Sequence, residues 1–153
     1  MTPEEKTASL VKPGKKKKGE KSDLQKKKDR PNSKYWKTKA LTMWGKYQHH
    51  TKRACIICGR TTGKLEAHHL IGKAKVLFRN HPDNCAMLCT DHHLRNTVIS
   101  AHMGQLGFVK HLEEHYPHMI RFIEENQYKI GKPNYREDYE LLKELLTSAG
   151  GTV

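Results

Sequence analysis

The sequence predicts an α+β protein, mainly helical, in which a small cysteine- and histidine-rich core is flanked by an N-terminal helix and by C-terminal helices. Three observations carry that prediction. All four cysteines and five of the eleven histidines fall within residues 55–96. Apolar residues at helical spacing lie on both sides of that block. The 153 residues suffice for one modest hydrophobic core and not for two.

The chain opens on a basic stretch, residues 1–34, with KKKK at 15–18 and KKK at 26–28. It has no aromatic residue and few apolar ones, so it is expected to be a disordered arm. Residues 35–48 place Trp36, Ala40, Met43, Trp44 and Tyr47 on one helical face, despite Gly45, and such a stripe is expected to pack on the cysteine-rich block. A tight turn at 61–63 leads into a strand, Lys64–Leu70. A loop over 71–84 and a short second strand, Ala86–Leu88, follow. Thr90 or Asp91 is placed to cap the helix that carries His93. Beyond it, Leu106, Val109 and Leu112 share a helical face and Tyr116-Pro117 ends that run. Met119, Ile120 and Ile123 mark another helix. After the Gly131–Asn134 loop, Tyr135, Tyr139, Leu142 and Leu146 form the last stripe. The terminal SAGGTV should fray.

Within residues 55–96, spacing separates two constellations. Cys55-x2-Cys58, followed by Gly59, and Cys89-x2-His92 are two pairs of soft ligands with matching gaps. Together they suit a closed tetrahedral Zn2+ site. Free buried thiols or a disulfide compete for CxxC alone, but not for CxxC paired with CxxH. Cys85 is spare, and would replace His92 in an all-cysteine set with a less suitable gap. The second constellation is Glu66-x-His68-His69, Asn84 and His93. Two histidines and an asparagine on a strand, a loop and a helix can form a second divalent-ion site with open positions. The remaining histidines, His102, His111, His115 and His118, show no ligand spacing and read as surface or packing residues.

These strings resemble the HNH endonuclease motif, the ββα-metal fold in its zinc-stapled form. The matching residues are Cys55-Ile56-Ile57-Cys58-Gly59, Leu65-Glu66-Ala67-His68-His69-Leu70, Asn84, and Leu88-Cys89-Thr90-Asp91-His92-His93. Many members of that family have cysteine where this chain has His92, a swap that preserves tetrahedral zinc. More loosely, the block and its preceding aromatic helix are similar to phage recombination nucleases. The resemblance implies an HNH domain over 35–148, with a metal core at 53–98 and a helical extension at 104–147. It also implies metal-dependent hydrolysis of DNA phosphodiesters. His69 would be the general base, and His68 and His93 would hold Mg2+ or another divalent ion such as Mn2+. Asn84 would tie loop to strand, and Glu66 would support a ligand histidine. Strand alternation puts His68 and His69 on opposite faces, so both serve one site only if the chain bends there, as it does in the family. An imidazole with its ordinary pKa near 6.5 is largely neutral at pH 7 and able to accept a proton.

Charge agrees with such a partner. The formal net charge is +13. Residues 1–34 carry 12 basic and 5 acidic side chains and residues 35–109 carry 11 and 3, whereas residues 110–153 carry 6 and 8. Positive charge concentrated on the arm and the metal region suits DNA. Lys64, Lys73, Lys75, Arg79 and Arg95 are the candidate phosphate contacts. No run resembles a signal peptide or membrane helix. With thiols committed to metal, this points to a reducing intracellular setting, and the resemblance implies the cytoplasm of a bacterial or phage-infected cell. Nothing in the sequence sets an oligomeric state. The competing function is a non-catalytic zinc-dependent nucleic-acid-binding module, which has no use for the second constellation. A zinc nucleobase deaminase would need His-x-Glu and Pro-Cys-x-x-Cys strings, and neither occurs.

Overall fold

The computed structural model describes residues 22–153. The first two-thirds of the expected arm therefore lies outside the described residues. Its last third is not formless. Ser22 caps a short helix, α1 (Asp23–Asp29), by accepting from the Gln25 amide. The Trp36 indole then donates to the Lys28 carbonyl at 3.0 Å and the Ser33 hydroxyl to Lys27 at 2.8 Å, folding α1 back onto the next helix.

That helix, α2 (Lys34–Thr51), buries Trp36, Ala40, Met43, Trp44 and Gln48. The expected stripe holds except at its end. Gln48 is fully buried and its amide donates to the Pro82 carbonyl at 2.6 Å, whereas Tyr47 is half-buried. A polar side chain can occupy the buried position because the loop offers it an acceptor. The apolar face of α2 packs chiefly on α5 (Tyr135–Ser148), where Met43 and Trp44 meet Leu142 and Leu146. The Asn134 side chain caps α5 by accepting from Glu137.

Two short antiparallel strands follow, β1 (Leu65–His68) and β2 (Ala86–Cys89), in the register Leu65↔Cys89 to His68↔Ala86. β1 ends at His68, before the expected Leu70. All four residues of β2 are buried, because α2 and α5 press on one side of the unit and the C-terminal helices on the other. The expected helix after β2 is a single π-helical turn, Asp91–Arg95, and Thr90 precedes it without a side-chain cap bond.

The later helices are α3 (Gln105–His115) and α4 (Pro117–Asn126), with proline at the first position of α4, where its missing N–H costs nothing. The predicted inward face of α3 is rotated. Phe108 and Leu112 are buried against β2, Ala101 and Met119, while Leu106 is 71% exposed and Val109 lies at the surface. Glycines set this rotation. A Cβ on Gly107 would sit 2.1 Å from the Val98 carbonyl, so α3 rests directly on the preceding backbone and turns Phe108 inward.

Candidate functional site

Three segments bring Cys55, Cys58, Cys89 and His92 together. Cys55 and Cys58 lie on a tight turn closed by Gly59 N–H to the Cys55 carbonyl at 2.8 Å, with Gly59 at φ 70°. Only glycine adopts that φ without cost. Cys89 ends β2 and His92 follows on the π-turn. The Ile56 amide donates to Met87 of β2 at 3.0 Å, and its carbonyl accepts from the His111 ring and from the Tyr116 hydroxyl. His111, expected as a surface or packing residue, thus packs against the turn that carries Cys55 and Cys58.

The four ligand atoms lie within 4.8 Å of one another. His92 Nδ1 is 3.3 Å from Cys89 Sγ and 3.7 Å from Cys55 Sγ, and Cys58 Sγ is 3.9 Å from Cys89 Sγ. A tetrahedron with Zn–S of about 2.3 Å has edges of about 3.8 Å. These donors therefore match a structural metal such as zinc in both chemistry and size. Burial opposes ionisation of Cys55, but amide donors of Cys58, Cys89 and Ile57 outweigh it and hold the thiol below its usual pKa. Cys85 is no part of this set. It is fully buried among Met43, Trp44, Leu142 and Leu146, where desolvation pushes its thiol up to about 11.

A second cluster forms beside the first. His68, His93 and His102 bring ligand nitrogens within 4.8 Å of one another, with ring centroids 4.9–5.2 Å apart. His68 and His93 were expected there; His102 was not, and it lies beyond the expected metal core. Its place depends on the loop after the π-turn, where the Ala101 amide donates to the His92 carbonyl at 3.0 Å. Glu66 Oε2 sits 2.8 Å from His93 Nδ1, and Lys64 Nζ is 2.6 Å from Oε1. The Lys64 and His93 bonds hold the Glu66 carboxyl below its usual range. An ionised carboxylate only accepts, so His93 carries its proton on Nδ1 and offers Nε2. Burial, then the positive character of His93 and His102, lowers His68 to about 4. It is therefore neutral, the form that binds metal, throughout the physiological range.

His69 occupies a separate environment. The strand ends before it, and its ring turns to stack on Trp44 of α2, with centroids 4.0 Å apart at 19°. His68 instead stands edge-on to Phe108 of α3. Because β1 ends at His68, His69 escapes the strand alternation expected of it, and the two rings pack on different elements, α2 and α3. His69 Nε2 donates to the Arg79 carbonyl at 2.8 Å, which leaves Nδ1 as the unprotonated nitrogen. Nδ1 has no hydrogen-bond partner among the described residues. Desolvation lowers His69 to about 4, well under the ordinary value expected from sequence. Trp44 meets two needs at once, since its indole also donates to the His81 carbonyl at 3.0 Å.

Asn84 is the clasp of the 71–84 loop. Its Oδ1 accepts from Ile71 N–H at 2.7 Å, while Nδ2 donates to the Ile71 carbonyl at 3.0 Å and to Phe78 at 2.9 Å. The same loop supplies the Arg79 carbonyl that holds His69.

Among the candidate phosphate contacts, Lys73 and Lys75 are exposed on that loop. Lys64 is exposed but tied to Glu66, and Arg95 is exposed 3.9 Å from Asp91. The Arg79 guanidinium instead bonds the Lys73 carbonyl, with Nε at 2.9 Å. It staples the loop and is the least available of the five.

No helix of the described residues is long and apolar enough to cross a membrane. Comparisons with protein-family models, curated proteins and solved structures found no match to this chain. The Cys3His group and the small α+β fold are compatible with a zinc-stapled ββα-metal unit.

Proposed function

We propose that the protein is a metal-dependent endonuclease of the HNH type that hydrolyses phosphodiester bonds in DNA. The observation that carries this reading is the division of labour among four histidines. Three converge as a ligand set. The fourth is buried, fixed in one tautomer by a carbonyl, and left with a free nitrogen. A nucleic-acid-binding module stapled by zinc alone has no need of that arrangement.

His69 Nδ1 accepts the proton of the attacking water, while the Arg79 carbonyl and the Trp44 ring keep the imidazole oriented. Glu66 orients His93. Lys73 and Lys75 supply positive charge for the phosphate backbone. His68, His93 and His102 would hold a divalent ion, which would supply Lewis-acid stabilisation of charge on the phosphate and the leaving oxygen. Three imidazole nitrogens and no carboxylate suit a transition ion such as Co2+, Ni2+ or Zn2+ better than Mg2+. The Cys3His group serves as the structural metal site, supplying stability that a sheet of two four-residue strands lacks.

The test is cleavage of supercoiled DNA with each divalent ion in turn. The wild type should cut, and His69→Ala should cut about 10²–10⁴-fold more slowly while keeping its structural zinc and its DNA affinity. A wild type that binds DNA but cuts with no ion would leave the non-catalytic module as the better reading.

A further inference from the structure

Large apolar side chains of the loop before α3 and of its first turn stand in solvent, next in the chain to His102. Val98 is 76% exposed, Met103 63% and Leu106 71%. They line a shallow groove of about 390 Å³ with Thr97, Gln105 and Lys110, and no acidic side chain contributes to it. Met103 directly follows the ligand His102.

This surface is rigidly presented. Asn96 Oδ1 accepts from the amides of Val98 and Ile99, both at 2.9 Å, and Ser100 Oγ accepts from Met103 and Gly104, both at 3.0 Å. A Cβ on Gly104 would lie 2.6 Å from the Val98–Ile99 peptide, so the loop is seated hard against the start of α3. Four side-chain-to-backbone bonds and two glycine contacts hold the apolar groups outward. A loop free to relax would bury them, since apolar surface of this kind is unfavourable in water unless something covers it.

We infer that Val98, Met103 and Leu106 form an apolar wedge that enters the base stack of duplex DNA beside the three-histidine centre. Duplex DNA is the occupant the charges favour. Lys110 lines the groove and Arg95 is exposed on the π-turn just before the loop. A second copy of this chain carries the same net +13 and is repelled over long range. Apolar wedges such as Leu and Met unstack a base step and kink the duplex, and Val98 extends that apolar surface. The inference rests on the nuclease reading for its partner, and its test does not depend on cleavage.

Duplexes carrying 2-aminopurine at successive positions are titrated with zinc-loaded His69→Ala protein, which does not consume them. Binding should raise the fluorescence at one or two adjacent positions. The triple variant Val98→Gln, Met103→Gln, Leu106→Gln in the same background should keep its zinc and its far-UV spectrum, lose that rise, and bind about 10- to 100-fold more weakly. Met103→Leu should retain the signal. Equal fluorescence from the triple variant overturns the wedge. So does a dimer in sedimentation that the triple variant dissolves without loss of DNA affinity. A chain that gives the fluorescence rise while the wild type never cuts keeps the wedge and loses the nuclease.

Discussion

Asn84→Ala tests how the loop is coupled to the site. The Asn84 side chain is completely buried and makes three hydrogen bonds, to both backbone groups of Ile71 and to the Phe78 carbonyl. Alanine leaves one N–H and two carbonyls without that partner. A buried group stripped of its partner costs about 1–3 kcal/mol, and carbonyls tolerate the loss better than amides. The expected destabilisation is therefore about 3–5 kcal/mol, a large share of the roughly 5–15 kcal/mol available to a domain. In thermal melts this corresponds to a fall of about 10–20 °C. Asn84→Asp separates hydrogen bonding from volume. It keeps the shape and the acceptor for Ile71, but sets a carboxylate against two carbonyls, and should be at least as damaging. Cleavage should fall further than the unfolded fraction explains, because the same loop carries the Arg79 carbonyl that orients His69. Urea denaturation of both variants decides the matter. Stability of Asn84→Asp within about 1 kcal/mol of wild type would refute the clasp.

Other outcomes follow from the two clusters and from His69. Metal analysis should find one tightly held zinc at the Cys3His group; Cys58→Ser should lose it and unfold the knuckle, whereas Cys85→Ser should keep it, and the reverse pattern would show the ligand set to be misassigned. Titration of the zinc-loaded protein with Co2+ should reveal a second site. Glu66→Gln should weaken that site by about 10–100-fold and His102→Ala by more; undiminished binding by His102→Ala would remove it from the set. His69 has a folded pKa of about 4 against about 6.5 unfolded. Below pH 6.5 the unfolded chain takes up the proton first, so its contribution to stability is full above pH 6.5 and is lost as pH falls towards 4. The slope is about 1.4 kcal/mol per pH unit across that window. Comparing wild type with His69→Gln between pH 4 and 7 isolates it, and equal pH dependence of the two would contradict the burial argument.

The sequence by itself determined the parts whose signal is local. Ligand gaps of two residues identified Cys55, Cys58, Cys89 and His92, because a turn of that length aims two side chains at one point. Helical periodicity identified α2 and α5, whose faces are continuous over four turns or so. Alternation was no guide to His69, because β1 ends at His68. Tertiary structure alone decided the rest. His102 lies nine residues beyond His93 in a loop with no period, and loop contacts such as the Ala101–His92 bond bring it to the cluster. The inward face of α3 was set by the contact of Gly107 with Val98, a constraint from another segment that overrode the Leu106–Val109–Leu112 pattern. The state of His69 was likewise invisible in one dimension. Its neighbours in space, Trp44 and the Arg79 carbonyl, come from different elements, and burial between them is what moves its proton affinity.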